Sequence, residues 1–469
     1  MNLRTSTKRR RGIIPPLAIL LFMTIGDPIQ ASERFRLITL DPGHFHAALI
    51  QKEELPEISE DAFVYAPLGP DLPAHLNRVS GFNARKENPT HWKMRIYAGS
   101  DYWEKMLAEH PGEIVVLSGS NRGKIERIGE IARRKLHALA DKPWIIEASD
   151  LPKLQAALDT ADRQRVIAFD GMTQRYEISC ILQRELVNDK GVFGQPQTGS
   201  ATDPAVYMES VHDLLKLVAG VPNLRPAWFF DITQQGEGLT DVGTHLVDLV
   251  QWILFPDRAI DYRKDLKVLA GSRWPTVLSL ADFRRVTGVA AFPEYLKQWV
   301  RGESLDYYCN NSVTYALNGV HVKLDVKWGY EAPAGTGDTE VAIFRGTRSS
   351  VEIHQGKEEN FRPEVYVVPA KPEMKAQIAK ALQTKLASLS GEWPGLGVED
   401  LGNRLRITIP DKFRIGHEAH FALLVKTFLG YLKNPQSLPA WEKPNMLAKY
   451  HVTTKGVELA RQAGPGKAQ

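Results

Sequence analysis

Cysteine is almost missing from this chain: its 469 residues include only Cys180 and Cys309. Two thiols cannot build a disulfide scaffold or a cysteine-ligated metal framework. One bridge or two separate buried thiols both remain open. The fold must therefore rest on an ordinary apolar core, which a 43% hydrophobic and 24% charged composition can supply. Also lacking is any stripe of lysine and arginine. The formal net charge is +4, part of it in the N-terminal tail, so nucleic acid has no electrostatic footprint here. No internal repeat is visible, which excludes solenoids and propellers.

What is present begins with a leader. Arg4, Lys8, Arg9, Arg10 and Arg11 form a positive segment ahead of an apolar run over residues 13–26. That run is broken by Pro15 and Pro16 and falls short of the roughly 20 residues needed to span a bilayer. Ile29-Gln30-Ala31 offers a cleavage site. Residues 1–31 thus read as a signal peptide, and the mature protein is expected in the periplasm with no membrane attachment after cleavage. Arg10-Arg11-Gly12-Ile13-Ile14 fits a twin-arginine signal as well as a general secretory one.

Beyond the leader, short apolar strands alternate with helical patterns up to about residue 170. Strands are predicted over residues 36–40, 62–65 and 113–117. A turn opening into a helix is predicted over 41–50, and a helix over 124–139 with Ile125, Ile128, Ile131 and Ala132 on its apolar side. Such alternation predicts a parallel α/β sheet. After residue 170 the texture changes. Residues 311–324 read as a hairpin turning at Asn318-Gly319. Further strands are predicted over 339–344, 350–354 and 364–368, an exposed helix over 372–390, and closing helices over 420–432 and 443–461. The expected architecture is an α/β Rossmann-like domain over 34–170, an α+β domain with a mostly antiparallel open sheet over 171–462, and a disordered tail over 463–469.

Two segments carry chemistry. Lys142 follows Asp141 and precedes Pro143 at a predicted strand end. In residues 238–248, Asp241, His245 and Asp248 stand at i, i+4 and i+7, so one helix face presents all three. A lysine with an Asp/His face can hold and deprotonate a sugar hydroxyl, with one of the carboxylates orienting the imidazole. Arg175 is placed to reach such a site. Tyr207, His212 and Trp228, with Trp328 and Tyr330, offer aromatic surfaces to a sugar ring.

The order of these features resembles the glucose-fructose oxidoreductase / inositol dehydrogenase / rhizopine catabolism (Gfo/Idh/MocA) family of oxidoreductases, with a variant C-terminal domain. The resemblance implies a tightly held NAD or NADP and a small-molecule carbohydrate substrate. It implies Lys142 beside the nicotinamide, His245 as general acid/base, and Asp241 on substrate. Asn121 and Asp141 would line the cofactor, with Gly43, His44 and His46 at its turn. Arg175 and Trp228 are the remaining substrate candidates. Pairing of copies through the open sheet of the second domain, giving a homo-oligomer, is also implied.

The chain departs from the dinucleotide fingerprint Gly-x-Gly-x-x-Gly, whose positions are here Asp41, Gly43 and His46. Asp41 would set a negative charge near a pyrophosphate. The acidic residue expected after the second strand is missing too, with Asp71 the nearest candidate. The primary expectation is an exported NAD(P)-dependent oxidoreductase acting on a secondary hydroxyl of a sugar, glycoside or cyclitol, including transient oxidation during glycoside cleavage. A carbohydrate-binding or scaffold protein with a degenerate cofactor site is the alternative. A third reading is metal-assisted glycoside cleavage through His44, His46 or His417. The primary expectation assigns no metal, because His44 and His46 with Asp41 have the spacing of a turn rather than of a helix face. His417 and His420 are expected to open a packed helix.

Overall fold

The first strands are hydrophobic on both faces, as a sheet covered on both sides requires. In the computed structural model, which describes residues 34–218, 221–222 and 224–464, they form one parallel sheet. Its strands are β1 (Phe35–Leu40), β2 (Ile58–Ala66), β3 (Lys93–Ala98), β4 (Ile114–Leu117), β5 (His137–Ala140) and β6 (Ala168–Asp170). Their order is β3-β2-β1-β4-β5-β6. The expected signal peptide lies outside the described residues.

Side chains alternate along each strand. Ile38, Leu40, Val115 and Leu117 pack on α3 (Tyr102–Glu109), α4 (Lys124–Arg133) and α5 (Leu151–Gln164). Leu37, Ile114 and Val116 face the other way, towards α1 (His46–Leu49) and α2 (Asp71–Ala84). Strand order reverses between β1 and β4, which opens a crevice at the carboxyl ends of those strands.

The helix predicted over residues 124–139 is shorter. Its four apolar residues are buried as expected, but α4 ends at Arg133 and residues 137–140 are β5. Lys135 takes a positive φ of 61°, which breaks the helix. Leu136 and Leu139 prolong the apolar spacing and conceal that break.

After α6 (Ile178–Val187), the chain builds a second sheet from β7 (Val206–Leu215) onward. A two-residue ladder, β8 (Leu217–Val218) with β9 (Val221–Pro222), precedes α7 (Gly238–Asp241) and α8 (Gly243–Leu254). Then come β10 (Leu266–Ser279), α9 (Leu280–Thr287), β11 (Val300–Arg301), β12 (Ser304–Leu317), β13 (Val320–Glu331), β14 (Thr339–Arg345), β15 (Ser349–Gln355) and β16 (Glu364–Pro369). Next are α10 (Lys375–Ser388), β17 (Gly397–Asp400) and β18 (Leu405–Thr408). The ten strands run β10-β12-β13-β7-β14-β15-β16-β18-β17, with β11 on β12. Only the β13–β7 pairing is parallel. The hairpin turns where expected, Asn318 and Gly319 both taking positive φ.

The closing helices are α11 (His417–Lys433) and α12 (Glu442–Ala463). Phe421, Leu424 and Phe428 of α11 pack into the parallel sheet's core, and α12 adds Met446, Leu447 and Tyr450 to its other face. Ala463, expected to begin a disordered tail, instead ends α12, while residues 465–469 lie outside the described residues. Cys180 and Cys309 are separate buried thiols.

One buried carboxylate makes the fold pH-sensitive. Glu340 on β14 has a buried oxygen without a partner among the described residues. Burial, reinforced by the charge of Glu177, pushes its carboxyl up from 4.5 to about 7. A group bound more tightly to its proton when folded stabilises below its unfolded value, and that contribution is lost as pH rises through about 7. Glu340→Gln is therefore expected to stabilise the protein by about 1–3 kcal/mol at pH ~8 and by almost nothing at pH ~4. Thermal denaturation of both proteins across this range is the check. An equal effect at both ends would contradict the sign.

Candidate active site

The site starts where three strands of the parallel sheet end. After β1 the chain turns through Asp41, Pro42 and Gly43. Asp41 has a φ of 48°, and its Oδ2 accepts from Arg127 at 2.9 Å and from the Tyr102 hydroxyl at 3.1 Å. The expected negative charge is thus offset by an arginine. A Cβ on Gly43 would lie 2.8 Å from the Trp228 ring, and one on Gly119, after β4, would lie 2.3 Å from the Asp41 carbonyl. The two loops approach as only glycines allow. The Gly43 and His44 N–H groups both donate to the Ser118 carbonyl, at 3.1 and 2.7 Å. The helix that follows, α1, is only four residues long.

After β5 come Asp141 and Lys142, the latter joined to Pro143 by a cis peptide bond. Asp141 is buried. Its Oδ1 accepts from Lys124 Nζ at 2.7 Å, and its Oδ2 stands 3.4 Å from Nδ1 of both His44 and His46. Burial raises the Asp141 pKa, but the Lys124 charge and the two imidazoles outweigh it and hold the carboxyl well below the usual range.

Lys142 Nζ donates to Asp241 Oδ1, with only 13% and 11% of the two side chains exposed. For Asp241 too, burial pushes the pKa up and the Lys142 charge and hydrogen bond bring it below 3.8. Asp241 is placed by α7, and α7 by Glu237. That fully buried carboxylate accepts from Arg273 at 2.6 Å, Arg461 at 2.8 Å and Asn311 at 3.0 Å. Gly238 lets α7 press on β12, since a Cβ there would meet the Cys309 carbonyl at 1.9 Å.

The backbone of the expected helix face runs on, Val242 between α7 and α8 being helical at φ −70° and ψ −37°, but its side chains divide by partner. α7 ends at Asp241 and α8 starts at Gly243. Asp241 faces Lys142, whereas Asp248 is committed to Arg175, at 2.6 Å to each carboxylate oxygen, and to Lys449 at 3.3 Å. The sequence reading had one of these carboxylates orienting His245, but the His245 Nδ1 is buried with no hydrogen-bond partner among the described residues. Burial, then the positive charges that Lys142, His417 and Lys449 carry or can carry, lower its pKa well below 6.5, so the ring is neutral near pH 7.

Other predicted site residues are dispersed. Arg175 has Nη1 on Glu442 as well, at 2.5 Å, so each of its three nitrogens is engaged within the fold. Asn121 is buried and donates to the Gln235 carbonyl at 2.8 Å, which ties the β4 loop to the segment before α7. Trp228 lies over Gly43 and donates from Nε1 to Asp71 at 3.0 Å, so it stands at the β1 turn. Tyr207 bonds Glu209 and Asp325, and His212 bonds Ser210 and Asp338. Sequence reasoning missed Arg225, whose charge helps to lower the Asp241 pKa, and Tyr307, whose phenol burial and the Asp241 charge help to keep protonated. It read His417 as the start of a packed helix and, in the metal-assisted reading, as a candidate for glycoside cleavage. His417 does open α11, and it also stacks on His46 at 5.1 Å. No local sequence signal marks these neighbours, because each comes from a distant element.

The chain matches the family model "Putative oxidoreductase C terminal domain" over residues 182–461. A crystal structure described as a putative oxidoreductase from Parabacteroides merdae is 44% identical, with a TM-score of 0.90, covering 92% of this chain and 98% of that one. More distant structures share the fold. GenD2 from gentamicin A biosynthesis, in complex with NAD, is 13% identical at a TM-score of 0.55, covering 96% and 98%. KijD10, a 3-ketoreductase from Actinomadura kijaniata in complex with NADP, is 13% identical at 0.54, covering 90% and 96%. A search among curated proteins finds no match.

Proposed function

The chain belongs to the Gfo/Idh/MocA-type oxidoreductases, and from that premise we propose an exported, nicotinamide-dependent enzyme acting on a secondary hydroxyl of a sugar, glycoside or cyclitol. The observation that carries this reading is the Lys142–Asp241 pair at the end of β5 with the neutral imidazole of His245 close enough to feel its charge. Asp241 holds a neighbouring hydroxyl of the sugar, Lys142 polarises the reacting oxygen, and His245 takes its proton. The nicotinamide, when bound, supplies the hydride acceptor or donor.

Several features fit a dinucleotide. Gly43 and Gly119 keep the turn free of side chains, and Arg127 offsets the Asp41 charge. His44, His46, Asp141 and Lys142 would hold the nicotinamide half, and Asp71 is the one acid placed after β2. Because free nicotinamide nucleotide is scarce outside the cytoplasm, the cofactor is proposed to be captive and recycled, which fits paired sugar oxidation and reduction or transient oxidation in glycoside cleavage. Among the described residues no helix is long and apolar enough to cross a membrane. Homo-oligomerisation through the open face of the ten-stranded sheet belongs to the same proposal.

A second reading is a carbohydrate-binding or scaffold protein. It is favoured by Trp228 on Gly43 and by the commitment of the turn's N–H groups to Ser118. The two readings differ in one measurement: mass spectrometry and absorbance of nucleotide released on denaturing the purified protein. Stoichiometric NAD(H) or NADP(H) is expected. Finding none, together with no thermal shift on adding either nucleotide, would favour the binding protein.

A further inference from the structure

The β1 turn and the end of β5 bring together a cluster that would border the nicotinamide but has no part in the proton and hydride steps proposed above. His44 Nδ1 and His46 Nδ1 stand 3.4 Å from the same oxygen, Asp141 Oδ2. The ligand atoms of the three residues lie within 4.8 Å of one another. Both nitrogens are buried and make no hydrogen bond among the described residues. His46 is only 8% exposed.

A separation of 3.4 Å is long for an N–H···O bond. It matches a different geometry: a tetrahedral ion with bonds of about 2.1 Å separates its ligand atoms by about 3.4 Å. The carboxylate is oriented for the task. Lys124 Nζ holds Oδ1 at 2.7 Å and the Asp141 carbonyl at 3.1 Å, which leaves Oδ2 to face the imidazoles. The His46 ring is fixed from behind by His417, stacked at 5.1 Å, and by Phe421 at 5.5 Å. The nearby ammonium charges are already paired, Lys124 with Asp141 and Lys142 with Asp241.

We infer that His44, His46 and Asp141 bind a divalent transition metal ion of the zinc class through two imidazole nitrogens and one carboxylate oxygen. Nitrogen and oxygen ligands without thiolate suit zinc or cobalt. Three protein ligands leave a coordination position for water or an oxygen of the bound molecule. That position adjoins the Lys142–Asp241 pair, whose charges both act on His44. The sequence spacing conceals the site, since it pairs the two histidines with Asp41, whereas the fold supplies Asp141 from 95 residues beyond His46.

The inference does not rest on the proposed redox function, and its test needs neither cofactor nor substrate. The purified protein, stripped with a chelator, is titrated with Zn2+ by calorimetry and with Co2+ by visible absorption. One equivalent of Zn2+ and the intense bands of four-coordinate Co2+ are expected. His44→Gln, at a partly exposed ring, and His46→Gln should each weaken Zn2+ binding at least about tenfold and alter the Co2+ spectrum. His321→Gln, remote from the site, should do neither. Circular dichroism checks the fold, and His44→Gln alone decides the matter if His46→Gln unfolds. No stoichiometric Zn2+ binding, or binding unchanged by His44→Gln, overturns the site. Nucleotide content of the same preparation reports separately on the redox reading.

Discussion

Replacing Arg175 by alanine is expected to destabilise the protein by about 3–5 kcal/mol, because it strands charges in the interior. The side chain is 14% exposed, and its guanidinium bonds both oxygens of Asp248 at 2.6 Å and Glu442 at 2.5 Å while lying 5.2 Å from the Trp441 ring. It joins the turn after β6 (Thr173–Tyr176) to α8 and α12. Without it, Asp248 keeps only Lys449 at 3.3 Å, and that ammonium is shared with Asp170. Arg175→Lys retains the charge but not the two-pronged geometry, and should recover only part of the loss.

The pH dependence separates this mechanism from lost packing. Burial raises the Asp248 pKa, but Arg175 and Lys449 bring it below 3.8. A depressed carboxyl contributes stability that is present above its unfolded value and is lost as pH falls through the folded one. The deficit of Arg175→Ala should therefore be largest near pH ~7 and shrink below pH ~4, where Asp248 of the variant takes up its proton. Melting temperatures of the two proteins at several pH values test this. A fall on the order of 5 °C is expected near neutrality. A deficit that stays constant down to pH ~3 would assign the loss to packing.

Arg175 also shows where reading the chain alone stops. Its position after a strand pointed towards the active site, but nothing local names Asp248 and Glu442, 73 and 267 residues away. What was legible is what short segments decide. The alternation of apolar strands with helical patterns predicted the parallel sheet, and Asn318-Gly319 predicted the hairpin of the second sheet because both residues accept positive φ. The α4 boundary was not legible, since Leu136 and Leu139 continue the periodicity that Lys135 interrupts. The helix face at 241, 245 and 248 had the right angular spacing. Yet the competing pull of Arg175 and Lys449 commits Asp248 to a structural task. Lys142, Asp241 and His245 were legible as a group because their residue types, order and flanking elements each carried part of the signal. The meeting of His44, His46 and Asp141 depends on strand order, which no segment states by itself.

Under the proposed function, Lys142→Met and His245→Gln are each expected to lower the rate at which sugar reduces or reoxidises the bound nucleotide by about 10²–10⁴-fold, with the nucleotide still bound. The two variants should differ in pH profile, because Lys142 acts on His245. Burial is the main cause of the low His245 pKa, and the Lys142 charge is the next. Removing that charge eliminates a repulsion, so the imidazolium becomes easier to form. The residual activity of Lys142→Met should then show an acid limb at higher pH than in the parent enzyme, because the neutral base is lost sooner on acidification. In His245→Gln no such limb remains, since the titrating ring is gone. Single-turnover absorbance of the enzyme-bound nucleotide across pH, with a sugar that the parent enzyme oxidises, reads both effects. An acid limb left in place by Lys142→Met would separate Lys142 electrostatically from the proton acceptor and assign deprotonation to another group. Parent-like rates in both variants would remove the pair from the chemistry.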